Sequence, residues 1–275
     1  MSNPAAPPTE RLWVLALNDL EALEIRDLLE SHSQTACYSN QPWGATWANL
    51  EPPILDRLAR FRSQYPAAEI IGIELAGPNP VAAIDIDHHI YSDADRGSSL
   101  SSLEQVANHL GVELTRWQKL VALNDRGYIP AMLAAGASPG EVAQIRSLDR
   151  AAQGITPADE QTAEADIQHH AERRGAKVLV RCAGNPTSAH SDRLFGSAQE
   201  ILLAGPTEWS YSGPRHKVLA AMSLPEPHWS GGNPDSGYFG IQDPGPATQG
   251  RLLNFFWDAA GGAEWEPEPP TAPGS

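Results

Sequence analysis

The sequence contains few cysteines and no long apolar run. Its two cysteines, Cys37 and Cys182, are 145 positions apart, so they do not form the close pair typical of a metal-binding motif. That usage suits a reducing cytoplasm, which is the predicted compartment. No stretch approaches the roughly 18 apolar residues needed to cross a bilayer. The Pro- and Ala-rich residues 1–10 lack the apolar core of a signal peptide. We therefore expect neither a membrane association nor secretion.

Positive charge is also scarce. The chain has 19 Lys and Arg residues against 34 Asp and Glu residues, a formal net charge of −15. An acidic surface repels long polyanions and lacks the basic stripe that duplex-binding proteins use, so long duplex nucleic acid is not an expected partner. A small anionic substrate held through bound metal ions remains compatible, because a bound cation inverts the local charge. A homodimer is left open.

Short apolar runs alternate with helical patterns in the first half of the chain. Leu12–Leu17, Glu69–Glu74 and Val81–Asp87 are apolar runs separated by stretches with helical spacing. Continuous apolar strands between helices indicate strands buried on both faces. The prediction is an α/β fold with a mostly parallel sheet and flanking helices. The shorter β-like runs after Ala176, including one at Lys217–Met222, predict a smaller α+β domain.

The same patterns suggest five segments. Pro-rich, acidic ends predict disordered tails, and the polar helix that begins after Thr156 is interpreted as a connector. The predicted segments are a tail (1–10), a metal-binding α/β domain (11–155), a connector helix (156–175), a substrate-binding α+β domain (176–262) and a second tail (263–275).

Acids and histidines follow the predicted strands of the first domain. Asp19 and Glu21 follow the first strand, Glu74 ends the second, and Asp87-His88-His89 ends the third. In open α/β sheets, ligands bind outside the carboxyl ends of the strands. Acids that converge there repel one another unless cations neutralise them. A site of two metal ions, which activates a water molecule, meets that requirement, and Asp125 could complete the ligand set.

Each of these residues also has a purely structural interpretation. Asp19 could cap a helix, with Glu21 favouring its first turn. Glu74 could pair with an arginine, and Asp125 could simply end a helix. The adjacent histidines could be solvated.

The residues resemble a known family, the DHH phosphoesterases. Ile86-Asp87-His88-His89 after an apolar strand is similar to the family's signature triplet. The other motifs follow in the family's order: Leu17–Leu23, Glu74, Ser101–Glu104, Asn124-Asp125 and, in the second domain, the glycine-rich Ser230–Gly237. The family includes single-strand exonucleases of the RecJ type, oligoribonucleases, cyclic-dinucleotide phosphodiesterases and exopolyphosphatases.

The resemblance implies a metal-dependent phosphoesterase that acts on a nucleotide or short oligonucleotide. It implies two Mn²⁺ ions, with Mg²⁺, Fe or Co as alternatives. In the catalytic pair, Asp87 and His89, the imidazole of His89 would contact the phosphate or protonate the leaving oxygen. The implied metal ligands are Asp19, Glu21, Glu74, Asp87, His88 and Asp125. The candidate substrate-binding residues are Arg215, His216, Gly231, Gly232 and Asn233.

Several positions depart from the family pattern. Leu17 replaces a histidine, Glu21 and Glu74 replace aspartates, and Asn233 replaces the histidine of the glycine-rich loop. These changes leave two alternatives open: a metallohydrolase with a non-phosphate substrate, and an inactive relative that binds a nucleotide and regulates a partner. The basic segment Arg215–Lys217 could also be an exposed strand edge, and the glycine-rich loop a plain turn.

Tryptophan is the other residue type with two interpretations. The chain has eight, including Trp43 and Trp47 before the second helix and Trp229 beside the glycine-rich loop. Stacking on nucleobases is one role for them. A buried packing role is the more frequent fate of tryptophan.

Overall fold

The chain divides into two units, residues 1–154 and 155–275. A computed structural model describes residues 10–89, 97–222, 224, 226, 228–232 and 235–257. The predicted tails lie outside these ranges except for Glu10, and so does Asn233. No helix within the described ranges is both long and apolar enough to span a membrane.

The first unit is built on a parallel sheet with helices on both faces, which confirms the predicted fold class. Its sheet order is β2-β1-β3-β4, and each adjacent pair is parallel. The elements are β1 (Arg11–Ala16), α1 (Leu20–Ser31), β2 (Ala36–Ser39), α2 (Pro52–Gln64), β3 (Glu69–Ile73), β4 (Ile84–Ile86), α3 (Ser102–Leu110), α4 (Arg116–Ala134) and α5 (Pro139–Ala152).

Side chains of the central strands alternate between two cores. In β1, Trp13 and Leu15 belong to the core that includes residues of α1, α3, α4 and α5, whereas Leu12 and Val14 belong to the core that includes residues of α2. This alternation is the period of two expected of an extended chain. At Gly72 in β3, an added Cβ would lie 2.1 Å from Cζ2 of the buried Trp47. A side chain at position 72 would therefore collide with this core.

Two strands of the first unit differ from the prediction. The short strand β2 was not predicted. The third predicted strand, Val81–Asp87, is reduced to β4 at the edge of the sheet, where Ile84 is 43% exposed. Burial on both faces therefore holds for β1 and β3, but was wrong for β4.

Helix starts in the first unit follow their capping signals. Ser101 and Glu104 form a capping box at α3, and Ser138 and Glu141 form another at α5. Gly111, with a φ of 70°, ends α3. The helix that contains Asp125 is interrupted at Tyr128, whose φ of 56° and ψ of −157° are not helical.

The second unit contains a mixed six-stranded sheet with the order β5-β6-β7-β8-β10-β9, in which β6 and β7 are parallel. Residues 156–175, interpreted as a connector, form α6 and β5, and β5 pairs with β6 within this unit. The elements are α6 (Pro157–His170), β5 (Ala171–Arg174), β6 (Lys177–Arg181), α7 (Ser188–Leu194), β7 (Glu200–Ala204), β8 (Glu208–Pro214), α8 (Arg215–Ala221), β9 (His228–Gly232), β10 (Ser236–Gln242) and α9 (Pro246–Trp257).

The predicted β-like run Lys217–Met222 was wrong, because Arg215–Ala221 form a helix. Val218 and Ala221 are buried three positions apart while Leu219 is 56% exposed, a helical pattern, and Leu and Ala are strong helix formers. The glycine-rich segment is a hairpin of β9 and β10 rather than an open loop.

Candidate metal centre

The polar residues predicted as a site lie at the carboxyl edge of the first sheet. Asp19 and Glu21 follow β1, Glu74 follows β3, and Asp87 follows β4. Because these strands are parallel neighbours, their carboxyl ends meet at one edge. Asp125 reaches the same place from α4. A small cavity at this edge is lined by Asn18, Glu21 and Glu74 together with apolar side chains.

Four side chains converge there on one point. Glu21, Glu74, His88 and Asp125 each offer one ligand atom, and these atoms all lie within 4.8 Å of one another. Nε2 of His88 is 2.7 Å from Oδ2 of Asp125 and 3.3 Å from Oε1 of Glu74. We call these four residues the donor cluster. Three carboxylates and one imidazole form a set of ligands suited to a divalent metal ion.

Several atoms of the donor cluster are buried without a hydrogen-bond partner among the described residues. They are Oε2 of Glu21, Nε2 of His88 and Oδ2 of Asp125. The close contact of His88 with Asp125 does not meet hydrogen-bond geometry. Buried polar atoms are nearly always satisfied, and each exception needs an explanation. A cation within reach of all three atoms would satisfy them together.

Burial and mutual repulsion shift the charge state of the carboxyl groups. The pKa of Glu21 is raised well above its usual value by burial first, and then by the charges of Asp125 and Glu74. Burial likewise raises the pKa of Asp19 well above its usual value, with repulsion from Glu74 and Asp125 adding to it. In the absence of a cation, both carboxyl groups therefore bind a proton more tightly than they would in water.

The same negative charges also raise the pKa values of the two histidines, although burial acts on a histidine in the opposite sense. Burial lowers the pKa of His88, but the neighbouring carboxylates of Asp125 and Glu74 outweigh it and raise the value to about 10. Burial also opposes the rise in the pKa of His89, which Asp87 and Glu74 bring about. The carboxylates of Asp125 and Glu74 thus favour a positive charge beside them.

Asp19 and Asp87 lie beside the donor cluster and make local hydrogen bonds. Oδ1 of Asp19 accepts the backbone N–H of Ala22 at 2.7 Å, so Asp19 is the N-cap of α1. Oδ1 of Asp87 accepts the backbone N–H groups of His88 and His89, and contacts Nδ1 of His89 at 2.9 Å. Asp19 therefore caps a helix, as its structural interpretation proposed. Its carboxyl group is also close enough to Glu74 and Asp125 to be repelled by their charges. Asp87 fixes the orientation of the His89 ring.

Glu74 has a backbone conformation unusual for its residue type. Its φ is 50°, in the left-handed region that non-glycine residues rarely adopt. Oε1 accepts a hydrogen bond from Oγ of Ser102 at 2.7 Å, and its other side-chain contacts are His88 and His89. The partners of Glu74 in the described part of the chain therefore do not include the arginine considered as an alternative.

Sequence reasoning did not identify two groups that support the site. The first is the start of α3: Ser102 contacts Glu74, and the backbone N–H of Leu103 donates to Oε1 of Glu21 at 3.0 Å. The resemblance of Ser101–Glu104 to a family motif indicated that this helix mattered, but not which carboxylates it contacts.

The second group is a buried network behind Asp19. NH1 of Arg146 donates to Oδ2 of Asp149 at 2.6 Å and to Oδ1 of Asn124 at 3.0 Å. Oδ1 of Asp149 accepts the N–H of Leu20, at the start of α1. The only signal in the sequence is a charged pair three residues apart on the buried side of α5.

In the second unit, the candidate substrate-binding residues surround one hairpin. NH1 of Arg215 donates to the carbonyl oxygen of Gly231 at 2.9 Å, while His216 is exposed. An added Cβ at Gly231 would lie 2.3 Å from Oη of Tyr238, and one at Gly232 would lie 2.4 Å from Cα of Gly237. These glycines are thus needed for packing across the hairpin. Asn233 is outside the described residues.

Comparisons with known proteins give structural likenesses alone. No protein-family model matches the chain, and no curated protein matches it. One similar solved structure is a pGpG-specific phosphodiesterase, PggH, from Vibrio cholerae, with 14% identity and a TM-score of 0.39 over 90% of this chain and 97% of that chain. Another is exonuclease RecJ bound to manganese, with 12% identity and a TM-score of 0.40 over 88% of this chain and 89% of that chain.

Proposed function

We propose that this chain is a metal-dependent hydrolase that cleaves a phosphoester of a small anionic substrate, a nucleotide or a short oligonucleotide. The observation that carries the proposal is the donor cluster. Its four donor atoms lie within 4.8 Å of one another, Nε2 of His88 and Oδ2 of Asp125 form an ion pair, and Oε2 of Glu21 is buried without a hydrogen-bond partner among the described residues.

The chemistry of the donors supports a cation in that position. Desolvating several carboxylates together is costly unless they are paired with positive charge or with metal ions. Among the described residues, the hydrogen-bond and ion-pair partners of Glu21 and Glu74 include no lysine or arginine. Carboxylate oxygens with one imidazole nitrogen fit Mn²⁺, and Mg²⁺, Fe or Co as alternatives.

We propose the donor cluster as the ligand set of one ion, with Asp19 and Asp87 contributing to a second. Bound divalent ions would supply a water molecule with a pKa near neutrality and positive charge beside the phosphate. Asp87 holds His89 through Nδ1, which sets the tautomer and the direction of the ring. The side chain of His89 is 34% exposed, so the imidazole can meet a substrate and transfer a proton to the leaving oxygen.

The substrate class follows from charge. An acidic chain in which bound metal ions would supply the local positive charge favours a small anion over a long polyanion. In the second unit we propose Arg215 and His216 as contacts for an anionic group. A cytoplasmic location is part of the same proposal.

The proposal predicts that Asp125→Asn strongly weakens both metal binding and turnover. The amide keeps the size of the side chain but removes one negative charge from the cluster, so Mn²⁺ affinity and phosphoesterase activity should each fall at least about 100-fold. Metal content is measured by elemental analysis after dialysis, and turnover with a panel of phosphate mono- and diesters in added Mn²⁺.

Asp85→Asn is the matched control. Asp85 lies on β4 two residues before Asp87, but it is exposed and its side chain contacts Asn79. This variant should keep the metal content and turnover of the unmodified protein. Bound metal without hydrolysis of any phosphate ester would favour a metallohydrolase with another substrate. Absence of bound metal in the unmodified protein would refute the proposal.

A further inference from the structure

An exposed tryptophan, Trp43, lies on a hydrogen-bonded loop at the carboxyl edge of the first sheet, the same edge that carries the donor cluster. The loop, residues 40–46, connects the end of β2 to the segment that contains the buried Trp47. Trp43 at its tip is 63% exposed, whereas Trp47 is 1% exposed. The two tryptophans, four residues apart, therefore have opposite environments.

The loop is closed by its own hydrogen bonds. Oε1 of Gln41 accepts the N–H of Thr46 at 3.0 Å, and Nε2 of Gln41 donates to the carbonyl oxygen of Thr46 at 3.1 Å. Gly44, with a φ of 82°, makes the turn next to Trp43. An indole on a closed loop loses little conformational freedom when a ligand binds.

The loop is also attached to two strand ends that carry site residues. Nδ2 of Asn18, the residue before Asp19, donates to the carbonyl oxygen of Pro42 at 3.2 Å. The N–H of Trp47 donates to the carbonyl oxygen of Ala76, two residues after Glu74, at 3.1 Å. Covalent geometry then places Cα of Trp43 within about 10 Å of Cα of Asn18.

We propose that Trp43 is a stacking platform for a nucleobase of the substrate bound at the donor cluster, which makes the substrate a nucleotide or oligonucleotide rather than an inorganic or sugar phosphate. This inference rests on the proposed function for the position of the phosphate. An indole is neutral and offers a flat π-face, so it adds affinity for a base but none for a phosphate chain. A single exposed ring between Pro42 and Gly44 also lacks the extended apolar surface of a protein interface.

The test compares ligands with and without bases. The probes are a 5′-phosphorylated thymidine dinucleotide with a slowly hydrolysed phosphorothioate linkage, and the abasic compound with the same sugars and charges. Equilibrium dialysis with Mn²⁺ gives their dissociation constants. Stacking contributes about 1–3 kcal/mol per base, so Trp43→Ala should weaken binding of the dinucleotide by about 5- to 150-fold and leave binding of the abasic compound unchanged. Trp43→Phe, which keeps a π-face, should restore most of the affinity.

Tyr65→Ala provides the matched control. Tyr65 is a 36% exposed aromatic residue of the same unit, but it precedes β3 and lies at the amino edge of the sheet. This variant should bind both probes like the unmodified protein. Equal weakening of both probes by Trp43→Ala, or no weakening of either, would overturn the inference.

Hydrolysis measured in parallel separates the two proposals. Turnover of phosphate esters by the unmodified protein, with both probes insensitive to Trp43→Ala, supports the hydrolase and rejects the stacking platform. Base-dependent binding that is lost in Trp43→Ala, without any hydrolysis, supports the platform and rejects the hydrolase.

Discussion

Buried carboxylates have different partners in the two units. In the second unit, the carboxylate of Glu200 accepts hydrogen bonds from Nζ of Lys217 at 2.7 Å and Oη of Tyr211 at 2.9 Å, and Nζ of Lys177 is 3.6 Å away. In the first unit, Glu21 is equally buried but faces other acids, and its Oε2 has no partner among the described residues. A satisfied network stabilises a fold, whereas unsatisfied like charges are retained where a ligand completes them.

The largest effect on stability is expected from Glu200→Gln. The substitution removes the negative charge that Lys177 and Lys217 share. Their two ammonium groups then repel each other in a partly buried position. Breaking such a pair should lower the free energy of unfolding by about 3 kcal/mol. Urea denaturation followed by circular dichroism measures the change.

Glu172→Gln is the control for this prediction. Glu172 pairs with Arg174 on β5, but the two side chains are 45% and 61% exposed. An exposed pair contributes about 0–1 kcal/mol, so this variant should unfold almost like the unmodified protein. Equal losses from the two substitutions would mean that the buried network has no special role.

The opposite sign is expected in the first unit for Glu21→Gln. Without metal, the amide removes an acid whose ionisation is opposed by burial and by Asp125 and Glu74. The free energy of unfolding near neutral pH should therefore rise by roughly 1 kcal/mol or more, comparable to the repulsion of two unit charges about 4 Å apart in water. It should also abolish the stabilisation by Mn²⁺, which for the unmodified protein is about 2.7 kcal/mol at 100 times the dissociation constant.

Both parts of this prediction are measured by urea denaturation, in EDTA and in Mn²⁺. The amide oxygen can still accept the N–H of Leu103, so loss of that hydrogen bond does not confound the result. A marked loss of stability in EDTA would show that Glu21 is a structural residue like Glu200, and the contrast between the units would disappear.

Local signals in the sequence account for the elements that place the site. Capping boxes such as those at Ser101 and Ser138 predict helix starts because the side chain and the N–H groups that it satisfies are three residues apart. The convergence of Asp19, Glu74 and His88 follows from the parallel order of the strands, which apolar runs between helices predict.

Contacts between distant residues could not be read from the sequence. Leu103 and Glu21 are 82 positions apart, and Leu20 and Asp149 are 129 positions apart. Such pairings depend on how whole helices pack, which residue types alone do not encode. Tertiary contacts also decided that Trp43 is exposed while Trp47 is buried.

The smallest effect is expected from Glu141→Gln, which contrasts with Glu21 inside the first unit. The side chain of Glu141 is 31% exposed, and the hydrogen bonds that it accepts from Arg116 and Ser138 lower the pKa of its carboxyl group to about 2. Because the pKa is lowered in the folded state, the carboxylate stabilises the protein at a pH above the unfolded pKa, near 4.5. This stabilisation is lost as the pH falls through about 2.

The melting temperature of Glu141→Gln should therefore lie below that of the unmodified protein at pH 7, by less than about 2 °C for so exposed a pair. The gap should narrow steadily between pH 4.5 and pH 2. The pKa of Glu21 is raised in the folded state, so its effect on stability depends on pH in the opposite direction. In EDTA, Glu21 contributes favourably to the free energy of unfolding at a pH below its unfolded pKa, and this contribution is lost as the pH rises through its folded pKa. If the difference in melting temperature between Glu141→Gln and the unmodified protein widened in acid, Glu141 would not be a paired carboxylate. The distinction between paired and unpaired acids would then fail.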